Sequence, residues 1–213
     1  GRMLRNCTTL TSVTISNQVT VLPLEALRNC QHLDNVVIPS SVTEIRNNVF
    51  VDCKGLTSIV IPNSVTTMGT SVFTSCTSLA TATFETGCQL TTIPDNTLKG
   101  CTALTAFTVP ASVTTLGTYA FYYCTLLASV SLPQGLTTIN NYAFCNCFSL
   151  NNVVLPGTLT SIKEWSFSNC TAMENLTIEE GVTSIDRFVF QYSGMRNVVL
   201  PSTLSIIGIQ LFN

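Results

Sequence analysis

Charge is the scarcest commodity in this chain. Only 9% of its 213 residues are Asp, Glu, Lys or Arg, against about 25% in a typical soluble domain. Residues 100–162 carry no charged side chain at all. The net charge of −2 supplies no field for gathering nucleic acid or anionic lipid, and neither partner is expected. General acid–base catalysis needs positioned titratable groups, so an active site in this stretch is excluded and no enzyme is expected. No Gly-rich phosphate loop, HExxH or GxSxG motif occurs. No apolar run approaches the ~20 residues of a membrane span, so no membrane insertion is expected. The sole histidine, His32, follows Cys30 by two residues, but every neighbouring Cys lacks such a partner, so it is read as structural. Ten cysteines are too few for a compact disulfide scaffold. With 46% hydrophobic residues, the chain has ample material for a core and does not read as disordered.

What is present is a lattice. Cys7, Cys30, Cys53 and Cys76 are 23 residues apart, as are Cys101, Cys124, Cys147 and Cys170. The single irregular step, Cys76 to Cys101, is 25. A fixed period of this size signals a solenoid or propeller. Other positions keep phase. Leu56, Leu79, Leu104, Leu127 and Leu150 follow each Cys by three residues, Pro62, Pro110, Pro133 and Pro156 by nine, and Phe50, Phe73, Phe121, Phe144, Phe167 and Phe190 by twenty. A shortened last unit, Met195 to Phe212, has no Cys.

Within a unit, Leu56-x-x-Ile59-x-Ile61 alternates with period two and reads as a short strand with Ile59 and Ile61 inward. Pro62 has no N–H to donate and ends it. Val65 to Met68 reads as a second strand or an extended segment, and Gly69 and Gly117 suit tight turns. Tyr119 to Cys124 reads as a helical turn. The insertion at Glu85–Gln89 is expected to bulge just after its strand. A 23-residue unit cannot make a core alone, so residues 1–213 are predicted to stack as one solenoid of about nine rungs, roughly 40–45 Å long at strand spacing. Because the chain begins and ends within a unit, a segment of a longer array is expected.

The pattern Phe-x-x-Cys-x-x-Leu-x-x-Val-x-Leu-Pro-x-x-Leu-x-x-Ile resembles the BspA-like class of leucine-rich repeats, in units such as Cys53–Phe73 and Cys101–Phe121. The resemblance implies a β-rich α/β solenoid. Its right-handed array would carry parallel strands on the concave face and short helical or 3-10 turns on the convex side. It also implies a cell-surface or secreted, adhesin-like protein of a host-associated microbe. Such a protein would bind a host or neighbouring-cell protein or glycan through its repeat surface. A passive spacer displaying another domain, or an intracellular interaction scaffold, are the alternatives.

Three readings compete for the lattice cysteines. Disulfides between adjacent rungs satisfy the Cα spacing, but parallel side chains disfavour the dihedral near 90°. Zinc needs four tetrahedral ligands, which a straight column does not offer. The remaining reading is a buried ladder of free thiols acting as small hydrophobes. It sits uneasily with an oxidising exterior unless the thiols are shielded or the habitat is anaerobic. No metal or cofactor is implied. Cys88 and Cys145, off the lattice, are expected to be exposed and reactive.

Two surfaces are candidates for partner binding. The first is the outward face of the strands: Ser58, Val60, Thr81, Thr83, Ala106, Thr108, Ser129, Ser131, Asn152, Val154, Asn175 and Thr177. These residues are small and uncharged, and they lack the Trp, Tyr and Arg of interaction hot spots. The second is an aromatic column, Tyr119, Tyr142, Trp165 and Phe188, two residues before each Phe. Lys163, Glu164, Asp186 and Arg187 flank it as a polar rim, and Glu179-Glu180 reads as a solvated pair. Asn6, Asn169 and Asn175 fit N-x-Ser/Thr acceptor sites.

Overall fold

The computed structural model of the chain describes residues 4–212. It is a solenoid of nine rungs, each contributing one longer and one shorter strand. The longer strands are β1 (Ser12–Thr14), β3 (Asn35–Val37), β5 (Ser58–Ile61), β7 (Thr81–Phe84), β9 (Ala106–Thr108), β11 (Ser129–Ser131), β13 (Val153–Leu155), β15 (Asn175–Ile178) and β17 (Asn197–Val199). The shorter ones are β2 (Val21–Leu22), β4 (Glu44–Ile45), β6 (Thr67–Met68), β8 (Thr92–Ile93), β10 (Thr115–Leu116), β12 (Thr138–Ile139), β14 (Ser161–Ile162), β16 (Ser184–Ile185) and β18 (Ile206–Ile207). All pairing is parallel and follows the repeat: Ser58 faces Thr81, and Thr138 faces Ser161. The Val65–Met68 segment, ambiguous in sequence, thus yields a strand, β6.

Alternation fixes the core. In β5 the pattern is exposed, buried, exposed, buried, with Ile59 and Ile61 inside. Leu56, Val65 and Phe50 join them with no exposed surface. The Phe positions form a stack: Phe121, Phe144 and Phe167 have ring centroids 4.9 and 5.0 Å apart and nearly parallel planes. Leu98 replaces Phe in the rung that carries the insertion and is equally buried.

One expectation fails here. No helix, α or 3-10, occurs among the described residues, so the fold is all-β with turns rather than α/β. The cause is a backbone alternation. Residues flanking each Phe at −2 and +2 are left-handed: Asn48 and Asp52, Tyr119 and Tyr123, Trp165 and Asn169, all with φ between 58 and 63°. Every second N–H is thereby turned toward the next rung, as Tyr119, Phe121 and Tyr123 donate to the carbonyls of Asn141, Ala143 and Cys145. The intervening groups close i→i+3 turns, with Tyr122 donating to Tyr119 and Cys124 to Phe121. A helix would direct all of these bonds inward along its own axis. Here half of them tie one rung to the next.

Gly117 does open a tight turn, its carbonyl accepting from the Ala120 N–H, but the need for glycine at 69 and 117 is not a left-handed backbone. Neither has a positive φ; each sits where the preceding rung passes close. A Cβ on Gly117 would lie 2.5 Å from the Asp95 nitrogen. The same approach lets the Thr118 N–H donate to the Asp95 carboxylate at 2.7 Å.

Candidate binding surface

The twelve outward strand residues named above are all exposed. Eleven lie on strands and Asn152 immediately precedes β13; their side chains alternate with core residues and contribute nothing to the interior. In register, Val60 lies beside Thr83, Ser131 beside Thr108 and Val154 beside Thr177. At one end the face is cross-linked by amides: Asn175 donates to Asn152 and Asn197 donates to Asn175, both at 2.9 Å. Asn175 as a glycan acceptor therefore competes with this ladder. Of the other two acceptor sites, Asn169 donates to the Asn146 side chain at 2.9 Å, and Asn6 is exposed.

The strand face is not one continuous sheet. The ladder is interrupted between β3 and β5, β7 and β9, and β11 and β13. At the second break lies a cleft of about 550 Å³, bounded by β7, β9 and the inserted segment. A smaller one of about 230 Å³ lies at the third, with Ser131, Asn152 and Val154 on its walls. The larger cleft was not foreseen in the sequence, although the 25-residue step that supplies one of its walls was plain there.

Tyr119, Tyr142, Trp165 and Phe188 do come together. Their rings stack face to face at 4.9, 6.1 and 4.6 Å. All four occupy the left-handed position, a conformation that costs an L-residue about 1–2 kcal/mol. Stacking offsets part of this, at about 0.5–1.5 kcal/mol per pair. Lys99 sits 5.1 Å from the Tyr119 ring centroid and Arg187 5.6 Å from that of Phe188. The ring faces are thus occupied by one another and by cations at the ends, leaving only edges outward. The flanking charges pair between rungs, Arg187 with Glu164 at 2.9 Å and Lys163 with Asp186 at 3.6 Å. The Glu179-Glu180 pair is not merely solvated. Glu180 accepts from the Ser202 N–H and hydroxyl, which lowers its pKa, and Glu179 accepts from Gln134 and the Gly157 N–H.

The lattice thiols form the buried ladder. Cys7, in the first rung, is half-buried; from Cys30 onward each lattice Sγ donates to the carbonyl three residues before the preceding Cys: Cys76 to Phe50 at 3.1 Å, Cys124 to Leu98 at 3.2 Å, Cys147 to Phe121 at 3.2 Å. That carbonyl already accepts the N–H that closes its own turn, and the thiol fills its second lone pair. All ten cysteines are free. Burial pushes the Cys53 and Cys124 thiols up to about 12, and those of Cys76, Cys101 and Cys147 well above the ordinary range. The expected exposure of Cys88 and Cys145 is overturned. Both are buried. Cys88 packs into the hydrophobic core cluster, and Cys145 lies beside Ser168, with burial raising its pKa to about 11. His32 contacts the Thr8 carbonyl through Nδ1, a tie between rungs. Among the described residues no group of three or more His, Cys, Asp or Glu side chains could hold a metal, and no helix could cross a membrane.

The chain matches the family described as BspA type leucine rich repeat region, in six copies, over residues 2–126 and 91–213. No curated protein matches it. Among solved structures it resembles a leucine rich cell surface protein from Faecalibacterium prausnitzii, with 26% identity and a TM-score of 0.58 over 92% of this chain and 61% of that one. It therefore spans about three fifths of that protein's length. It shares its fold with a leucine rich repeat protein of T. pallidum (22% identity, TM-score 0.57, covering 93% of this chain and 73% of the other). It does so too with the pneumococcal vaccine antigen PcpA (19% identity, TM-score 0.50, covering 93% and 56%).

Proposed function

This chain belongs to the BspA-type leucine-rich repeat family, and from that premise we propose that it is a non-enzymatic, adhesin-like binding segment. It acts at a cell surface or after secretion, and recognises a protein or glycan of a host or neighbouring cell. The observation that carries the reading is the strand face. Twelve exposed, uncharged side chains, eleven of them on strands and Asn152 just before β13, stand in register, with nothing of the core depending on them. Rigid backbone with free side chains is what a recognition surface requires. Surface location draws support from the similar cell-surface protein. The aromatic column is the lesser candidate, since it offers ring edges only.

The test is saturable binding of the purified chain to immobilised matrix proteins and to host cells. Val154→Lys together with Ser131→Lys, both exposed, should weaken binding at least tenfold, equivalent to about 1.4 kcal/mol. Lys54→Glu, away from the strand face, should leave it unchanged. Absence of saturable binding would favour a passive spacer.

A further inference from the structure

The two-residue insertion does more than bulge. In the rung that bears it, the first strand, β7, pairs only with β5 behind it, while the second strand, β8, pairs only with β10 ahead. No backbone hydrogen bond joins β7 to β9 among the described residues. The strand ladder parts between β7 and β9, as it also does without an insertion between β3 and β5 and between β11 and β13; here the inserted segment adds a further wall, from Glu85 to Cys88. The cleft of about 550 Å³ is that parting, and its size falls in the range of small-ligand sites.

Its walls are chemically mixed. Thr81, Thr83 and Thr108 bring hydroxyls; Phe84, Ala106 and Pro110 bring apolar surface. Glu85 is the one charged side chain lining it, and its carboxylate already accepts the Asn63 N–H at 3.1 Å. An anionic ligand would meet only the like charge of Glu85, and a cationic one would find a single exposed, already engaged carboxylate, which offsets little of its desolvation. The Phe84 and Phe107 rings bridge the parting at 6.2 Å, so no added peptide strand fits, because that would need about twice the 4.8 Å strand spacing. What remains is a ligand that is neutral, rich in hydroxyls and carries apolar C–H faces.

We infer that this parting between β7 and β9 is a binding cleft for a neutral oligosaccharide of two or three sugar units. The sugar's C–H face lies on Phe84 and Pro110, and its hydroxyls bond to the threonines and to the unpaired backbone groups of the two strand edges. The inference rests on the strand face being a binding surface and names the ligand class for one part of it.

The experiment is a titration of the full chain, followed by amide NMR, with chitotriose, cellotriose, maltotriose and mannotriose, and with a neutral tetrapeptide as competitor class. At least one trisaccharide should produce saturable shifts confined to residues 81–88 and 106–112. Ala106→Trp and, as a second plug, Thr108→Arg should each weaken binding more than tenfold with the urea midpoint retained, while Lys54→Glu, exposed and outside the cleft, should leave it unchanged. Shifts from the tetrapeptide alone, shifts elsewhere, or binding indifferent to both plugs overturn the inference. Absence of sugar binding while the Val154→Lys and Ser131→Lys pair still weakens cell binding at least tenfold overturns the oligosaccharide assignment and leaves the strand-face reading standing.

Discussion

Raising the pH from 9 toward 12 should unfold this protein cooperatively. The lattice thiols Cys53, Cys76, Cys101, Cys124, Cys147 and Cys170 are neutral and buried, with pKa values raised by desolvation, to about 12 for Cys53 and Cys124. In the unfolded chain the same groups ionise near the ordinary thiol value, about 8.5. Below that pH both states hold the proton and stability is at its full value. Above it only the unfolded state releases protons, so stability falls with rising pH until the folded thiols ionise as well. Each such thiol removes about 1.4 kcal/mol per pH unit, and six of them about 8 kcal/mol per pH unit. A domain stable by about 5–15 kcal/mol is exhausted within one or two units. Urea titrations at stepped pH would measure the slope. Cys101→Ala combined with Cys147→Ala should remove about 3 kcal/mol per pH unit of it. A stability unchanged between pH 8 and pH 11 would contradict the ladder.

Phe144→Ala should cost about 3–5 kcal/mol. Phe144 has no exposed surface and stacks on both Phe121 and Phe167, so truncation opens a cavity shared by three rungs. In a stacked array each rung is held only by its neighbours. The loss therefore also weakens coupling between the two halves, and the urea m-value should fall as they begin to unfold separately. Phe212→Ala is the control, since Phe212 is 43% exposed and stacks on Phe190 alone; it should cost much less. Equal costs at the two positions would mean that the Phe column is not the continuous support described here.

The rungs, the Phe column and the thiol ladder were legible because a solenoid writes its architecture as a one-dimensional period. The turns were not. Tyr119-Ala-Phe-Tyr-Tyr-Cys124 reads as a helical turn because aromatic side chains rarely adopt left-handed backbone, and here Tyr119 and Tyr123 both do. The signal lay in the equivalent positions of other rungs, Asn48, Asp52, Ser71, Ser75, Asn96 and Gly100. Those are residue types that tolerate such a turn. Cys88 and Cys145 were misplaced because distance from the lattice was taken for exposure. Burial in these rungs depends on which way alternate residues turn, and Cys145 turns inward beside Ser168. The aromatic column could be predicted as a column. That its faces would be used up by mutual stacking depends on ring orientation, which no residue spacing encodes.

Alkylation of the native protein, mapped by mass spectrometry, tests the stacked architecture most directly. At pH 8, iodoacetamide should modify Cys7, half-buried in the first rung, while the nine buried cysteines, Cys88 and Cys145 among them, remain unmodified until urea unfolds the chain, when all ten react. Rapid modification of Cys101, Cys124 or Cys147 in the folded protein would contradict it.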